Sequence, residues 1–386
     1  MNRSPMKIIG IETFLVAPRW LFVKISTDVG ISGWGEASLE GRSATSAAAV
    51  HEFDEYLLGS NPLAIERHWQ ILTKSTFYRG GPVLSSAVSG IDQALWDIAG
   101  KTYDAPVHAL LGGAVRDRIR VYSWIGGDEP SAVAENATIQ KEAGFTAVKM
   151  NASGRLARLD TRAATREIVA RAESVRSALG DDHDFALDFH GRFTVAQSKR
   201  VMRELEPLHP LFVEEPILPE YGDRLADLTA STPIPIACGE RLFSRTDFLR
   251  VLQAGIAVAQ PDLSHCGGIS EGRRIAAMAE AFDVSFAPHC PLGPIGLAAS
   301  IQVAAVSQNF LIQEQSLGIH YNTGAELLDY LVDPSPFAFV DGCVPVPTAP
   351  GLGIEVDEVA VRRASEISVP WHGPVWTQVD GSFAEW

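Results

Sequence analysis

Short apolar segments alternate with longer polar stretches along most of the chain, and the later apolar segments share an ending. Each stops at a charged or imidazole side chain, as Leu211-Phe212-Val213 stops at Glu214. Successive endings lie 22 to 27 residues apart, which fits one strand, one helix and two short loops. The polar side chains at these endings are Asp188, Glu214, Glu240, Asp262, His289 and Glu314.

A repeating strand and helix unit predicts parallel strands, because a parallel neighbour needs a crossover connection. Earlier segments that end at Trp124 and Lys149 extend the pattern to eight strands. Eight units favour a closed α/β barrel, in which all strand C-termini open on one face. A single acid could be a solvated loop residue or a helix N-cap. Six polar endings in phase instead predict one shared cavity.

The segments on either side of the barrel follow other patterns. Residues 6–38 predict a meander of three strands, and residues 43–112 have helical spacing. Beyond residue 320 the period is lost, and prolines predict an irregular segment that packs back on the first unit. We therefore expect an α+β capping domain over residues 1–116, a barrel over 117–319 and a returning C-terminal segment over 320–386.

Charge and composition narrow the classes of partner. The chain of 386 residues has a formal net charge of −15 and a pI near 5.1, which argues against nucleic acid or an anionic membrane as partner. No apolar run approaches the roughly 18 residues of a membrane span, and the N-terminus lacks the apolar core of a signal peptide. We expect a cytoplasmic protein that binds a small molecule.

Three acids come from successive strand ends, so the carboxylates of Asp188, Glu214 and Glu240 should lie side by side. Like charges this close repel one another unless something neutralises them. Hard oxygen ligands with room left for substrate and water suit an octahedral Mg²⁺ ion. The alternative is a metal-free cluster that is relieved by raised pKa values or by Arg192 or Arg241.

Two histidines flank the same predicted site. Asp262 and His289 end neighbouring strands, so the carboxylate can orient the imidazole and raise its basicity. His190 follows the first metal ligand by two residues and therefore points into the cavity as well. The pattern predicts one catalytic base and one catalytic acid. Glu314, if protonated or hydrogen-bonded, could donate to a substrate oxyanion.

Other chemistry remains open for some of these residues. Lys149, near Asn151, could form a Schiff base as in an aldolase, but three carboxylates and two histidines would then be idle. Glu214 and Glu240 could serve a metal-free glycosidase, which has no use for the histidine and aspartate pair. A metal-dependent sugar-acid binder would keep the same pocket without turnover.

Motifs spread over the whole chain resemble the enolase superfamily, in its mandelate racemase-like branch. The combination of Asp188 and His190 with Pro288-His289-Cys290-Pro291 is the most specific of them. The other similar segments are Ala17-Pro18-Arg19-Trp20, residues 77–82, 90–98, 122–124, 238–241, 260–265 and 313–322, and Ala384-Glu385-Trp386.

The resemblance implies a modified TIM (β/α)7β barrel with Mg²⁺ on the three carboxylates, and a homo-oligomer. The implied reaction is dehydration of a sugar acid to a 2-keto-3-deoxy acid. D-galactonate is the first candidate for the substrate. In that reaction His289, oriented by Asp262, removes the C2 proton, His190 protonates the leaving C3 hydroxyl, and Glu314 helps to stabilise the enediolate. Another aldonic acid (gluconate, mannonate or arabinonate) or racemisation of a 2-hydroxy acid is the alternative.

The residues that touch the substrate are less closely defined by the pattern. Loops around Arg19 and Tyr78 are expected to close the cavity and read the distal hydroxyls. The full set expected to contact substrate is Lys149, Asn151, Trp124, Arg19, Tyr78 and His320.

The expected homo-oligomer gives a direct test. Light scattering of the purified protein should return a multiple of the 41.7 kDa chain mass, because barrel enzymes of this superfamily commonly assemble. A single species at the mass of one chain would contradict the expectation.

Overall fold

The N-terminal unit is an antiparallel sheet of order β1-β2-β3 that packs against helices. The computed structural model describes residues 6–319 and 321–386, so His320 lies outside the described residues. The elements of this unit are strands β1 (Ile8–Val16), β2 (Trp20–Thr27) and β3 (Ser32–Glu36), and helices α1 (Ser43–Glu52), α2 (Asp54–Leu57), α3 (Ile65–Lys74), α4 (Gly81–Tyr103) and α5 (Val107–Leu110).

Strand β3 lies directly on helix α4 because glycine leaves room for backbone contact. A Cβ added to Gly35 would lie 1.8 Å from the carbonyl oxygen of Gly90, and one added to Gly33 would lie 2.1 Å from that of Ala94. Neither position accepts a side chain without moving the helix away from the sheet. This contact holds Glu36, the last residue of β3, over the barrel.

The barrel follows as alternating strands and helices. Its elements are β4 (Arg118–Arg120), β5 (Ser123–Trp124), α6 (Pro130–Glu142), β6 (Ala147–Asn151), α7 (Arg162–Leu179), β7 (Asp184–Asp188), α8 (Val195–Leu205), β8 (Val213–Glu214), α9 (Leu225–Thr229), β9 (Ile236–Cys238), α10 (Arg245–Gln253), β10 (Val258–Ala259), α11 (Gly268–Glu280), β11 (Ser285–Phe286) and α12 (Pro294–Val306). Short 3₁₀ turns cover Glu206–Leu208 and Pro219–Arg224.

Strands β5 to β11 form one parallel sheet in chain order. Parallel bridges then join Phe286 to Phe310 and Val121 to Gln313. The segment 310–314 therefore lies between the last strand and the first and closes the ring as an eighth strand. The α/β barrel predicted from the repeat is confirmed.

Small and large apolar side chains alternate inside the ring, where Ala147, Ala186 and Ala237 leave room for Tyr122 and Phe212. A larger apolar cluster fills the layer between the sheet and the outer helices. Because side chains alternate along each strand, these two layers take up the apolar positions. The polar side chain at the end of each strand then opens on the C-terminal face.

The C-terminal segment contacts both units. It contains β12 (Cys343–Pro345), α13 (Glu358–Ile367), β13 (Trp376–Thr377), β14 (Phe383–Ala384) and the 3₁₀ turn Ser335–Phe337. Strand β12 pairs with β4 beside the barrel. Helix α13 lies on the N-terminal sheet, where Lys24 Nζ is 2.7 Å from Glu358 Oε1. Among the described residues, no helix has the length and apolar character to cross a bilayer.

Two buried acids join the N-terminal unit to the barrel. Glu36 accepts hydrogen bonds from the backbone N–H groups of Gly293 and Gly296, both at 2.8 Å, at the start of α12. Asp92 accepts from the N–H of Ser270 at 2.9 Å and from its hydroxyl at 2.6 Å, at the start of α11. Helix N-termini favour negative charge, but burial dominates and raises the pKa of each carboxyl to about 7.

We expect Asp92→Asn to keep the fold and change how stability depends on pH. Asparagine can accept from the Ser270 N–H and donate to the Ser270 hydroxyl, so both contacts survive. In the wild type, the folded-state pKa of Asp92 is about 7 against an ordinary value of 3.8. Stability linked to this proton is present below pH 3.8 and is lost as the pH rises through 7.

Urea unfolding at several pH values should therefore give similar free energies for the two proteins near pH 4. Near pH 8 the variant should be the more stable, by up to about 4 kcal/mol. Parallel pH curves for the two proteins would contradict this account.

Candidate active site

A cavity of about 490 Å³ opens at the C-terminal ends of the barrel strands. Seven of the residues expected at the site line it, and a second opening of about 600 Å³ shares two of them, Glu240 and His289. The seven are Arg19, Trp124, Asn151, Asp188, His190, Glu240 and His289.

Carboxylates meet at the floor of this cavity. The register of β7 and β8 places Asp188 directly opposite Glu214. Ligand atoms of Glu214, Glu240 and His289 all lie within 4.8 Å of one another, which places an imidazole beside the expected acids. Burial raises the pKa of the carboxyl groups of Asp188, Glu214 and Glu240, and repulsion from neighbouring acids adds to the rise. This oxygen-rich donor set fits a divalent cation.

Lys149 is buried beneath the cluster with 0% of its surface exposed. Its Nζ lies 2.7 Å from both carboxylate oxygens of Glu214 and 2.8 Å from Oε1 of Glu314. It also faces the rings of Tyr122 and Trp124 at 5.2 and 4.6 Å. Burial alone would lower its pKa, but these carboxylates raise it well above the usual range. A protonated, inaccessible amine is a fixed cation, not a Schiff-base nucleophile.

Glu314 is held as a carboxylate. The indole N–H of Trp124 donates to it at 2.6 Å, and the backbone N–H of Cys290 donates at 2.8 Å. Burial alone would raise its pKa, but Lys149 and His289 lower that pKa to about 2. An ionised carboxylate has no proton to give. Glu314 therefore acts as an acceptor here, in contrast to the expectation that it donates to an oxyanion.

His289 and Asp262 form the expected pair. Nδ1 of His289 is 2.8 Å from Oδ2 of Asp262, while the other aspartate oxygen accepts from the N–H of Ser264 at 2.6 Å. Nε2 of the imidazole is left facing Glu240, at 3.2 Å. Burial alone would lower the pKa of His289, but the carboxylates of Glu314, Glu240 and Asp262 raise it well above its usual range.

His190 follows β7 in the left-handed backbone region, with φ of 53°. Its N–H donates to Oδ1 of Asp188 at 2.7 Å, and this bond offsets the cost of the unusual conformation. Its Nδ1 lies 2.8 Å from the main-chain oxygen of Trp386, which can only accept, so Nδ1 carries the proton. Burial lowers the pKa of the ring. Thr194 caps α8 just beyond and fixes the length of the turn.

Among the expected substrate contacts, Asn151 and Arg19 both line the cavity, but Arg19 is only 5% exposed. The Arg19 guanidinium donates to Glu40, to Asn322 and to the carbonyl oxygen of Pro291. Tyr78 is 84% exposed and does not line the cavity. Arg19 therefore supports loops in this structure, and Tyr78 faces solvent.

The structure also brings in residues that sequence reasoning did not place at the site. Gln260 donates to Oε2 of Glu214 at 2.9 Å, and its position at the end of β10, two residues before Asp262, was a usable signal. Further additions come from the loop after β6, from helix α7 and from the C-terminal segment. They are Arg155, Arg171, Trp371, Trp376 and Trp386.

The barrel, its cap and the acidic strand ends define a family. Residues 132–360 match the enolase C-terminal domain-like family, and residues 2–112 match the mandelate racemase/muconate lactonizing enzyme N-terminal domain. The chain belongs to this branch of the enolase superfamily, which confirms the resemblance inferred from the motifs.

Individual relatives of the chain give a more specific comparison than the family models do. It is 53% identical to the D-galactonate dehydratase of Variovorax paradoxus and 52% identical to that of Ralstonia pickettii. Both matches run over 382 residues and cover 99% of this chain and 100% of the relative. The solved structure of an enolase from Agrobacterium radiobacter, bound to Na and L-malate, is 32% identical with a TM-score of 0.90. The match covers 98% of this chain and 100% of the Agrobacterium chain.

We expect Lys149→Met to destabilise the fold strongly. The change leaves Glu214 and Glu314 buried without their cation, which typically costs about 3–5 kcal/mol. Lys24→Met is a matched control, since Lys24 also lies 2.7 Å from a glutamate, but that glutamate is 36% exposed. The control should cost less than about 1 kcal/mol. Urea unfolding in EDTA measures both, and equal losses would contradict the buried-cation account.

Proposed function

We propose that this protein dehydrates D-galactonate to 2-dehydro-3-deoxy-D-galactonate. The observation that carries the proposal is the pair of histidines on one acidic cavity, from strands four places apart in the barrel. His289 has its partner Asp262 at 2.8 Å, and His190 faces the same space. The full-length similarity to D-galactonate dehydratases supports this substrate.

Dehydratases of the enolase superfamily depend on a metal ion. We propose that Asp188, Glu214 and Glu240 hold Mg²⁺, since these buried carboxylates keep a surplus of negative charge. The nearby cations Lys149 and Arg241 are each also paired with another glutamate. A divalent cation bound there would draw electron density from the substrate carboxylate and so make the C2 hydrogen more acidic.

His289 is the proposed base. With Nδ1 bonded to Asp262, its Nε2 is the nitrogen that faces the cavity and Glu240. A cation held by Glu240 would offset one of the carboxylates that raise the pKa of His289, which would leave Nε2 free to take the C2 proton. Glu314 lies 3.8 Å from the same nitrogen and, as a carboxylate, stabilises the imidazolium that forms. Lys149 balances that carboxylate from below. Two fixed charges thus hold the base in place while it changes protonation state.

His190 is the proposed acid. As the acid, His190 is an imidazolium. Because its Nδ1–H is committed to Trp386, it gives the Nε2 proton to the C3 hydroxyl as the C3–O bond breaks and is left as the neutral Nδ1–H ring. The electron pair left at C2 forms the C2–C3 double bond, and water leaves. The resulting enol relaxes to the 2-keto-3-deoxy acid. Different partners for the two histidines support elimination over racemisation, which would call for two bases at C2.

The test is 2-keto acid formation from a stereochemical library of aldonic acids with Mg²⁺, with each hit repeated in EDTA. D-galactonate should react, and EDTA should abolish turnover. His289→Asn and His190→Asn should each lower kcat by at least about 100-fold, as expected for loss of a general base or acid. His209→Asn is the control, because His209 is an exposed residue in the left-handed region, which asparagine tolerates.

Other outcomes of this assay would each contradict a particular part of the proposal. Turnover of gluconate, mannonate or arabinonate alone would overturn the substrate and keep the chemistry. Activity that persists in EDTA would overturn the metal, and binding without turnover of any acid would identify a sugar-acid binder.

A further inference from the structure

The last part of the chain lies against the catalytic cavity. Three tryptophans of this part of the chain, Trp371, Trp376 and Trp386, line the cavity together with Trp124 of β5. Trp371 and Trp386 contact each other with ring centroids 5.8 Å apart. The rest of the lining is mainly charged or polar, so this aromatic wall is the main apolar surface that a bound molecule meets there.

The wall is fastened to the barrel loops on two sides. The side-chain amide of Gln378 donates to the carbonyl oxygen of Leu156 at 2.7 Å, and Arg155 donates to that of Thr377. The guanidinium of Arg192 lies 4.9 Å from the centre of the Trp376 ring. These contacts tie the β13–β14 hairpin to the loop after β6 and to the turn that carries His190.

Trp386 makes the contact closest to the chemistry. Its main-chain oxygen accepts from Nδ1 of His190 at 2.8 Å, and its ring meets the imidazole edge-on at 5.5 Å. Nη2 of Arg192 lies 3.5 Å from the same Nδ1, which cannot accept from Arg192 while it donates to Trp386. The main-chain oxygen therefore fixes the proton on Nδ1 and the orientation of the ring.

We propose that residues 371–386 form part of the active site. The main-chain oxygen of Trp386 positions His190 so that Nε2 faces the C3 hydroxyl, and the three tryptophans of this segment bind the carbon chain of the polyhydroxy acid beyond C3. Pockets for small molecules commonly pair an apolar wall with a few placed polar groups. This inference rests on the proposed function for its substrate, but the contact to His190 can be tested without any substrate.

The kinetic test compares a chain that ends at Ala384, Trp386→Ala and the wild type, assayed with D-galactonate and Mg²⁺ in D₂O. The shortened chain loses the main-chain oxygen that accepts from His190, so kcat should fall at least tenfold. Proton removal by His289 should persist, so the ratio of deuterium exchange at C2 to dehydration should rise at least fivefold. Trp386→Ala keeps that main-chain oxygen and loses the ring, so KM should rise at least fivefold with kcat within threefold.

Phe383→Ala is the matched control, since Phe383 lies on the same hairpin but is 67% exposed and does not line the cavity. Its kinetics should match the wild type. Unchanged kinetics in the shortened chain would overturn the proposal. So would an equal loss of exchange and dehydration, because a merely structural role would impair both histidines alike.

The second measurement is the rate at which diethyl pyrocarbonate labels His190, read by peptide mass spectrometry. Labelling should be at least fivefold faster in the chain that ends at Ala384 and unchanged in Phe383→Ala. Equal rates in the shortened and full chains would overturn the positioning contact. A wild type that protects His190 but leaves D-galactonate unreacted would overturn the proposed function and the substrate wall, while supporting the contact.

Discussion

Repulsion among buried carboxylates at the mouth of the barrel is the constraint that the site has to satisfy. Asp188 and Glu214 face each other from adjacent strands, and burial raises the pKa of both. Lys149 is the buried cation in contact with Glu214, and it is shared with Glu314 on the strand that closes the ring. One positive charge cannot balance the whole cluster. The remaining negative charge gives the cavity its affinity for a metal ion and sets the field in which both histidines work.

The capping unit supports the site through the loop that carries His289. Arg19 donates to the carbonyl oxygen of Pro291, and Glu36 accepts from the N–H of Gly293 two residues later. Both side chains come from the N-terminal sheet, which Gly35 allows to lie directly on α4. Packing in the cap is thus connected to the orientation of the base by a short chain of contacts. The guanidinium nitrogens of Arg19 make these hydrogen bonds, which explains why the side chain is so little exposed.

The eightfold repeat was enough to predict the barrel and to bring Asp188, His190, Glu240 and His289 to one cavity, because strand length and alternation fix where such residues point. Other features depend on contacts that no local pattern encodes. The ionised state of Glu314 follows from Lys149, 165 residues earlier, and the partner of His190 lies 196 residues away in an irregular segment. Trp386 belongs to a motif that resembles the family, but nothing in the sequence indicated that it lies against His190.

The positions of the two histidine-bearing strands also bear on stereochemistry. In a ring of eight strands, β7 and β11 stand four places apart and so face each other across the barrel axis. A molecule held between them presents one face to His289 and the opposite face to His190. With His289 as the proposed base and His190 as the proposed acid, the hydrogen and the hydroxyl group would depart from opposite sides of the C2–C3 bond. The scaffold itself can thereby discriminate between epimers at these two carbons, before any side chain contacts the rest of the sugar.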